Sequence, residues 1–374
     1  MRIGFDAKRI FYNRSGLGNY SRDIIRSLQT FYPEHEYYLY TPSLKGSIPF
    51  NVPEGVQVSL PNRSKGKLMQ AYWRSVQLTK RLNADGIEIF HGLSNELPRN
   101  IKKTRIKSVV TIHDLIFLRH PEWYKPIDRN IYRAKFRYSC KISDTIIAIS
   151  EQTKNDIIEF FGVDEHKIQV VYQSCNNLFK TLATEGDKNS IRKKYALPGE
   201  YLLYVGTIEE RKNLLNILKA FKTGNINIPL VVVGRKTRYF TEIKHFIETE
   251  RIKNIHFLNE ISVEDLPAMY QMAELFIYPS VFEGFGIPIL EALYSRVPVI
   301  TSQGGCFREA GGPSSVYVNP SDPEEISEAI QYIINREKLQ AEMKEIGYRH
   351  ALQFSDENIA RDLMNIYEKL VYGS

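Results

Sequence analysis

Residues 278–293 read Tyr-Pro-Ser-Val-Phe-Glu-Gly-Phe-Gly-Ile-Pro-Ile-Leu-Glu-Ala-Leu. The apolar run that ends near Pro279 predicts a strand, and the glycines after it predict a loop. Pro288 predicts the first position of a helix, because proline is well tolerated there. A strand followed by a short loop and a helix is the repeating unit of parallel sheets. This stretch therefore predicts an α/β fold with a loop at the carboxyl end of a strand.

The loop and the first helical turn carry the residue types of an anion site. Amides near Gly286 and Ile287 stand at the positive end of the helix dipole, where a diphosphate binds well. Glu283 in the loop and Glu291 one turn into the helix could accept hydrogen bonds from sugar and ribose hydroxyls. The alternative is that Glu291 only complements the dipole, that Glu283 is solvated, and that Gly284 and Gly286 only make the turn.

The same alternation extends in both directions from this stretch. Strands are predicted at residues 2–6, 37–40, 56–60, 88–91, 108–113, 145–150 and 169–172, and again at 201–206, 229–234, 255–258, 275–279, 297–302 and 316–319. The two sets predict two doubly wound, Rossmann-like domains that bind ligands at the carboxyl ends of their strands, in the cleft between them.

The domain limits follow from the seam between the two sets. Residues 174–190 are polar and lack a clear period, which indicates a linker followed by a short helix. The predicted domains are residues 1–176 and residues 177–355. An amphipathic helix is predicted at 356–374, after the second sheet is complete.

Length and composition agree with this plan. The chain has 374 residues, 43% hydrophobic and 25% charged, as expected for a two-domain globular protein. Its three cysteines show no metal-ligand spacing, and no segment reads as a signal peptide or a membrane span, so we expect a cytoplasmic protein. The net charge of +7 favours anionic partners: nucleotide phosphates, anionic lipids or nucleic acid.

A second candidate site follows the predicted strand 201–206. Arg211 and Lys212 precede the helical run 214–221, where cations are unfavourable by roughly 0.3–1 kcal/mol unless an anion binds beside them. An arginine fork and a lysine point charge suit a departing diphosphate. Alternatively, Glu209 and Glu210 pair with both cations in a surface cluster.

The first domain carries a weaker glycine motif. Gly16 and Gly18 precede a helix predicted at 21–28, but Ser21 stands where a dinucleotide fingerprint needs a third glycine. No acid ends the second strand near Thr41, so NAD is disfavoured. The two glycines admit either a diphosphate or acceptor close to the backbone, or a plain turn.

Two histidines end neighbouring predicted strands of the first domain. His113 follows the apolar strand 108–112, which predicts an imidazole at the carboxyl edge of the sheet. His91 ends the preceding strand. Each is either a catalytic group or a structural hydrogen-bonding residue.

Basic and aromatic residues mix in residues 65–81, and Arg129, Arg133 and Arg137 fall four apart on one helical face. The spacing of Leu68, Met69, Tyr72, Trp73 and Val76 in a predicted helix 68–82 favours core packing, with the cations on a solvated face. Together with the cations at 102, 103, 105 and 107, these residues also fit an anionic membrane surface. No nucleic-acid-reading motif is present.

Taken together, the motifs resemble glycosyltransferase family 4, whose members have the GT-B architecture of two Rossmann-like domains. The resemblance covers nearly the whole chain and rests on the stretches at 16–20, 110–115, 149–151, 205–213 and 283–291. It implies a retaining transfer of a sugar from a nucleotide donor held mainly by the second domain, with a terminal helix that crosses back to the first. No cofactor is implied, because the nucleotide sugar is a substrate.

The resemblance also implies roles for single residues. Arg211 and Lys212 match residues that neutralise the diphosphate, Glu291 one that holds the ribose, Glu283 one that contacts the donor sugar, and His113 one beside the reacting sugar. The other matches assigned to the donor site are Gly16, Gly18, Gly206, Gly284, Phe285, Gly286 and Ile287.

The stretches Tyr72-Trp-Arg, Phe90-His-Gly and His113-Asp-Leu resemble the bacterial mannosyltransferase-like branch of cell-surface polysaccharide assembly. GDP-mannose is therefore the first expected donor, and UDP-hexoses come next. Ser295-Arg296 and residues 304–309 depart from the usual family pattern beside the donor. A nucleotide-sugar epimerase and a non-enzymatic nucleotide or nucleic-acid-binding module are the alternative functions.

Overall fold

The computed structural model describes residues 1–14, 16–61 and 66–373; of Lys67 only the backbone is described. The chain divides into two compact units, Met1–Ser174 with Phe354–Ser374, and Cys175–Gln353. Ser15 of the glycine motif and Lys65 of the basic stretch lie outside the described residues.

A parallel sheet forms the centre of the first unit. Its strands are β1 Arg2–Asp6, β2 Glu36–Tyr40, β3 Val56–Ser59, β4 Ile89–Gly92, β5 Lys107–Ile112, β6 Thr145–Ala148 and β7 Ile168–Val170. Over the described residues their order is β3-β2-β1-β4-β5-β6-β7. In the register, Ile3 lies opposite Tyr37 on one side and Ile89 on the other. The order reverses between β1 and β4, which makes this the switch point of the sheet.

Helices cover both faces of this sheet, so its strands are continuously apolar. The helices are α1 Lys8–Tyr12, α2 Gly16–Phe31, α3 Lys67–Tyr72, α4 Leu78–Ala84, α5 Ile116–Arg119, α6 Pro126–Ile142 and α7 Glu151–Phe161. A π-helical segment, Trp73–Gln77, joins α3 to α4, and short 3₁₀ turns lie at Ile101–Lys103, Pro121–Trp123 and Glu165–Lys167. Ser150 caps α7 by accepting a hydrogen bond from the Thr153 amide.

The second unit repeats the plan. Its strands are β8 Leu202–Val205, β9 Leu230–Val233, β10 Ile255–Leu258, β11 Leu275–Tyr278, β12 Val299–Ser302 and β13 Val316–Val318, in the order β10-β9-β8-β11-β12-β13 over the described residues. Its helices are α8 Glu185–Lys194, α9 Leu214–Thr223, α10 Phe240–Glu250, α11 Leu266–Gln271, α12 Ile287–Tyr294, α13 Phe307–Gly311, α14 Pro323–Ile334 and α15 Glu337–Ala351. 3₁₀ turns lie at Asn177–Lys180, Glu210–Lys212 and Leu352–Phe354. The switch point lies between β8 and β11.

The last helix, α16 Asp356–Tyr372, belongs to the first unit. Ser355 caps it, and its apolar face packs in the same core as α2 and β1. The prediction of a terminal amphipathic helix that joins the first domain's core is confirmed.

The thirteen predicted strands are present, with ends shifted by up to two residues. Three helical predictions were wrong in detail. Helix α2 begins at Gly16, so both glycines of the motif lie in its first turn and not before it. The helix predicted at 68–82 is interrupted by the π-helical segment, and of its spaced apolar residues Trp73 is buried while Leu68, Met69 and Tyr72 are exposed. Pro288 is the second residue of α12, which begins at Ile287.

Candidate functional site

The strongest cluster of charged side chains lies at the switch point of the second unit. Arg211 and Lys212 follow β8 in a 3₁₀ turn, and Glu283 follows β11 in the loop before α12. Strands β8 and β11 are parallel neighbours, so both loops leave the sheet at the same edge. This edge is where open α/β sheets bind ligands.

Glu283 binds both cations. Its Oε2 lies 2.7 Å from Nη1 of Arg211, and its Oε1 lies 2.5 Å from Nζ of Lys212. Arg211 also pairs with Glu209 at 2.8 Å and donates a hydrogen bond to the carbonyl of Phe282 at 2.6 Å. Two cations and two carboxylates thus form one ion-paired cluster.

The cluster is largely removed from water. The side chains of Lys212 and Glu283 are each 12% exposed, and that of Arg211 is 18% exposed. Burial alone would raise the pKa of Glu283, but the charges of Lys212 and Arg211 hold it at about 2. Burial lowers the pKa of Lys212, and Glu283 opposes that shift. The carboxylate and the two cations therefore depend on one another for their charged states.

These contacts decide between the interpretations left open by the sequence. Arg211 does pair with Glu209, but the cluster is mostly buried and is centred on Glu283, so a solvated surface cluster is wrong. Glu283 is not a solvated loop residue. Glu291 lies outside the first turn of α12, so it does not simply complement the helix dipole.

Polar side chains that the sequence did not single out hold Glu283 in place. Tyr278 and Ser280 donate hydrogen bonds to its Oε1 at 2.9 and 2.6 Å, and Tyr278 also bonds to Lys212. Asn213, in the left-handed conformation at φ 62°, donates to the carbonyls of Pro279 and Pro320. Polar residues that directly follow an apolar strand are the signal that could have identified Ser280.

The glycines near this cluster differ in whether their surroundings or their backbone conformation would exclude a side chain. A Cβ on Gly206 would meet Tyr204 and Lys212 only at ordinary contact distance, whereas a Cβ on Gly234 would lie 1.9 Å from the Gly206 carbonyl oxygen. Gly286 has φ 118° and is the N-cap residue that precedes α12. The first amides of a helix have no carbonyl partner within the helix, so Gly286 sets the direction in which these donors point.

Glu291 occupies a second, less polar position on α12. Tyr270, on α11, donates a hydrogen bond to its Oε2 at 3.0 Å. Burial raises the pKa of Glu291 to about 7, and the bond from Tyr270 opposes the shift only in part. The carboxyl group changes charge near neutral pH, and its Oε1 has capacity for a hydroxyl donor. Phe285, buried, and Gly284 complete the loop between the two glutamates.

In the first unit, His113 follows β5 and is buried. Its Nε2 lies 2.8 Å from the Leu93 carbonyl, and its Nδ1 lies 3.4 Å from the Gln173 amide nitrogen. Because a carbonyl only accepts, Nε2 carries the proton. Burial lowers the pKa of His113 to about 4, so the ring is neutral at pH 7. The structure gives His113 a full set of hydrogen bonds, and a neutral ring cannot act as an acid there.

His91 lies beside it at the end of β4. Its Nδ1 lies 2.6 Å from the Tyr367 hydroxyl of α16, and its Nε2 lies 2.8 Å from Oγ1 of Thr111. Thr111 in turn contacts the Tyr20 hydroxyl at 3.1 Å, and the Tyr20 ring packs edge-on against His113. The structural interpretation of His91 is the one that these contacts favour.

Gly18 and Gly16 differ sharply in their surroundings. A Cβ on Gly18 would lie 1.9 Å from the carbonyl oxygen of Asn13, whereas a Cβ on Gly16 would meet nothing within 4 Å. Arg22 donates hydrogen bonds to the carbonyls of Ile10 and Asn13 and holds the same loop against α2. Close packing of this loop accounts for Gly18.

Among the described residues, no group of three or more His, Cys, Asp or Glu side chains is placed to hold a metal ion. None of the described helices is both long and apolar enough to cross a bilayer.

Sequence models of two families match the chain one after the other. The family described as Glycosyltransferase Family 4 matches residues 14–176, and the family described as Glycosyl transferases group 1 matches residues 187–350. Among curated relatives, the chain is 28% identical to O-antigen chain mannosyltransferase B of Escherichia coli, over 99% of this chain and 100% of the relative.

Solved structures share the fold over the whole length. Sucrose-phosphate synthase of Thermosynechococcus elongatus has a TM-score of 0.80 at 17% identity and full coverage of both chains. HepE of Anabaena, solved with UDP and glucose, has a TM-score of 0.74 at 17% identity, over 99% of this chain and 100% of HepE. The predicted fold, two doubly wound Rossmann-like sheets of the GT-B class, is confirmed.

Proposed function

This chain belongs to glycosyltransferase family 4 and is a glycosyltransferase, and from that premise we propose that it moves a hexose from a nucleoside-diphosphate sugar to a saccharide or lipid-linked acceptor. The setting we propose is the assembly of cell-surface polysaccharide or lipopolysaccharide. The observation that carries the proposal is the cluster of Arg211, Lys212 and Glu283 at the switch point of the second sheet. It places two fixed cations where such sheets receive a phosphate-bearing ligand.

The donor site that we propose uses both strand ends of the switch point. Arg211 and Lys212 bind the diphosphate, aided by the amides at the start of α12 near Gly286 and Ile287. Glu291 accepts hydrogen bonds from the ribose, and Glu283 positions the donor sugar. The smaller contributions that we propose come from the backbone at Gly16, Gly18, Gly206, Gly284 and Phe285.

Mannose is the hexose that we propose first. A relative alignable over its full length is named a mannosyltransferase, which supports a mannose donor, and the usual activated form is then GDP-mannose. HepE was solved with UDP and glucose, so a UDP-hexose is the second candidate. No cofactor is needed in this scheme, since the nucleotide sugar supplies the activated group.

The reaction that we propose follows a front-face course with retention. The bond from the anomeric carbon to the phosphate oxygen breaks, the acceptor oxygen bonds to that carbon from the same face, and the departing phosphate oxygen takes the acceptor's proton. Arg211 and Lys212 stabilise the charge that develops on the diphosphate. His113 is proposed to support the reacting sugar, as a neutral group and not as an acid.

A nucleotide panel and a donor assay test this proposal. Thermal unfolding with GDP, UDP and ADP identifies the base, because a ligand that binds the native state raises the melting temperature. The expected activity is release of the nucleoside diphosphate from GDP-mannose, slow without acceptor and faster with a lipid-linked saccharide. Interconversion of nucleotide sugars without release would favour an epimerase, and binding without turnover of any donor would favour a non-enzymatic nucleotide-binding module.

We also propose that the enzyme works at the inner face of the cell membrane, as a cytoplasmic protein held at its surface. The positive net charge of +7 supports this location, and a lipid-linked acceptor, if it is the substrate, would require it. Binding to anionic vesicles at low salt, and release at high salt, is the expected result.

A further inference from the structure

Helix α6 of the first unit has one face in the core and one in solvent. Tyr132 and Phe136 lie on the inner face, where both rings pack edge-on against Phe117 of α5, at 5.8 and 5.3 Å between centroids. Cys140, one turn further on, is fully buried. These contacts fix which side of α6 faces outward.

The outward face of α6 is apolar. Ile127, Ile131, Ala134 and Tyr138 follow one another at spacings of four, three and four residues, which places them in one stripe along the helix. Ile127 is 73% exposed and Ile131 46% exposed, and the other two are also exposed. An isolated exposed isoleucine is ordinary, but a continuous stripe on the outside of a helix marks an interaction surface.

Basic side chains border this stripe. Arg133, Arg137 and Lys141 lie on one side of it and Lys135 on the other, and all four are exposed. Asp128 is the acidic residue in α6. An apolar stripe flanked by cations is the pattern of helices that lie in the interface of an anionic bilayer.

Helix α3 extends the surface. Leu68 is 88% exposed, and Met69 and Tyr72 are about half exposed, although their spacing resembles that of a core-facing helix. The π-helical segment after α3 widens the turn and directs Trp73 inward. The apolar residues of α3 are thereby left facing solvent.

Two sets of contacts fix α3 and α6 on the same side of the first unit. Glu96 bridges Arg74, just after α3, and Lys135 of α6, at 3.1 and 3.2 Å. Arg99 also joins them, because its amide donates to the Ser75 carbonyl at 2.8 Å and its own carbonyl accepts from the Tyr138 hydroxyl at 2.6 Å. The two exposed apolar patches therefore lie near each other on the first unit, and we call them together the α3–α6 surface.

We propose that the α3–α6 surface docks the enzyme on anionic lipid, with the apolar side chains of Leu68, Met69, Tyr72, Ile127, Ile131 and Tyr138 inserted at headgroup depth. Charge complementarity selects this occupant. Two copies of the chain facing each other through this surface would bring like-charged borders together, which disfavours a symmetric dimer. An anionic bilayer instead attracts the exposed side chains of Arg133, Arg137 and Lys141 and takes up the apolar stripe, while Lys135 stays paired with Glu96. The inference rests on the proposed membrane location and assigns the residues that produce it.

The test is co-sedimentation at low salt with vesicles of equal parts phosphatidylcholine and phosphatidylglycerol. Ile127→Ser/Ile131→Ser and Arg133→Gln/Arg137→Gln remove the apolar and the charged part of the surface in turn. Each lost cation is expected to lower partitioning about fivefold, and the loss of two isoleucines by at least about tenfold. Pure phosphatidylcholine vesicles should retain little of any variant.

Matched controls remove the same side-chain types from exposed positions of the second unit. They are Val263→Ser/Ile346→Ser and Lys253→Gln/Lys338→Gln, and both are expected to partition like the wild type. Thermal stabilisation by nucleoside diphosphate should be equal in all variants, which shows that they are folded and that the donor site is intact.

Three results would overturn the inference. Wild type that stays in solution overturns the membrane location itself, without touching the proposed transfer reaction. Wild type that binds while the surface variants bind equally well overturns the assignment to α3 and α6. A dimer in sedimentation that Ile127→Ser/Ile131→Ser dissociates, with unchanged vesicle binding, would assign the surface to a second copy of the chain.

Discussion

At the scale of single residues, Glu283 would have two opposing effects on diphosphate binding in the proposed donor site. It neutralises Arg211 and Lys212 in the free protein, and the donor diphosphate that we propose would use the same two cations. With Glu209 included, the four charges sum to zero before any ligand arrives. The carboxylate thus holds the cations in position, and in the proposed donor site it would compete with the diphosphate for them.

Glu283→Gln is therefore expected to tighten nucleoside diphosphate binding and to lower turnover. Removing one negative charge beside the diphosphate should improve binding by about 1 kcal/mol or more, which is roughly fivefold. Turnover should fall because the donor sugar loses its carboxylate contact. Calorimetry with the diphosphate and steady-state kinetics with the donor sugar measure the two effects.

Lys212→Gln and the double variant Lys212→Gln/Glu283→Gln complete a double-mutant cycle. Lys212→Gln should weaken diphosphate binding while leaving the affinity for the nucleoside nearly unchanged, and the double variant should regain stability because no unpaired carboxylate is buried. Weaker diphosphate binding by Glu283→Gln would show that the carboxylate organises the site and does not compete.

Glu291 predicts a pH dependence of nucleotide binding. Its pKa of about 7 lies above the ordinary value of 4.5, so its neutral form stabilises the folded protein below pH 4.5 and that stabilisation is lost as the pH rises through 7. Ribose hydroxyls donate better to a carboxylate, so binding should favour the ionised form and release a proton. Affinity for the nucleoside diphosphate is expected to rise between pH 6 and 8.

Calorimetry in buffers of different ionisation enthalpy counts the released proton. Glu291→Gln is the matched control, because it keeps the shape and carries no titrating group. A pH dependence that is the same in the wild type and in Glu291→Gln would assign it to the ligand's own phosphate and would contradict the role of Glu291.

His113 belongs to the first unit and is proposed to act on turnover alone. His113→Asn is expected to lower the turnover number by at least about tenfold while the affinity for nucleoside diphosphate stays within about twofold of the wild type. Because the side chain is buried, the unfolding transition of the variant must be measured alongside. Equal turnover in a folded His113→Asn protein would leave the residue a structural role only.

At the scale of elements, the first turn of α2 contains two glycines with different surroundings: Gly18 is closely packed, and Gly16 faces open space. Gly18→Ala is expected to lower the free energy of unfolding by about 1–3 kcal/mol, because its Cβ would collide with the Asn13 carbonyl. Gly16→Ala is the control: its Cβ meets open space, and alanine favours a helix, so stability should be unchanged or slightly higher. Urea unfolding distinguishes the two, and equal effects would contradict the packing account.

The strands were predictable because both sheets are covered on two faces, which makes each strand a short apolar run such as residues 275–278. The first and last residues of the helices were harder to predict from the sequence. The turn before α2 depends on Arg22, which bonds to carbonyls twelve and nine residues away, and no local pattern encodes that contact. The π-helical segment reverses which residues of 68–76 face inward, against their spacing.

The sequence predicted the individual residues of the candidate site but not the ion pairs between them. Arg211 and Glu283 each follow a strand, which local sequence reveals, and the sheet edge where they meet follows from the fold class. Their ion pair spans more than seventy residues and exists because β8 and β11 are neighbours, and strand order is a property of the whole sheet. The raised pKa of Glu291 likewise depends on burial beside Tyr270, twenty-one residues earlier.

At the scale of the whole molecule, the cations of the two units differ in burial and in pairing. In the second unit, cations are ion-paired and buried at the proposed donor site, whereas on α6 they are exposed beside apolar side chains. A buried cation pair recognises one phosphate group, and an exposed row recognises an extended anionic surface. In the two proposals made above, the same excess of positive charge would therefore serve two different kinds of partner.

The mechanism is the last property that belongs to the whole molecule, and we expect transfer with retention and without a divalent metal. The sequence has no Asp-x-Asp pair to hold a metal against a diphosphate. Arg211, Lys212 and the start of α12 can neutralise the departing group instead. Activity should survive EDTA, and the anomeric coupling in the NMR spectrum of the product should match the configuration of the donor. Loss of all activity in EDTA, restored by Mg²⁺ or Mn²⁺, would contradict the metal-free part. An inverted product would contradict the front-face course even if both cations proved to bind phosphate, because inversion requires the acceptor to attack from the side opposite the leaving diphosphate and a separate base to take its proton.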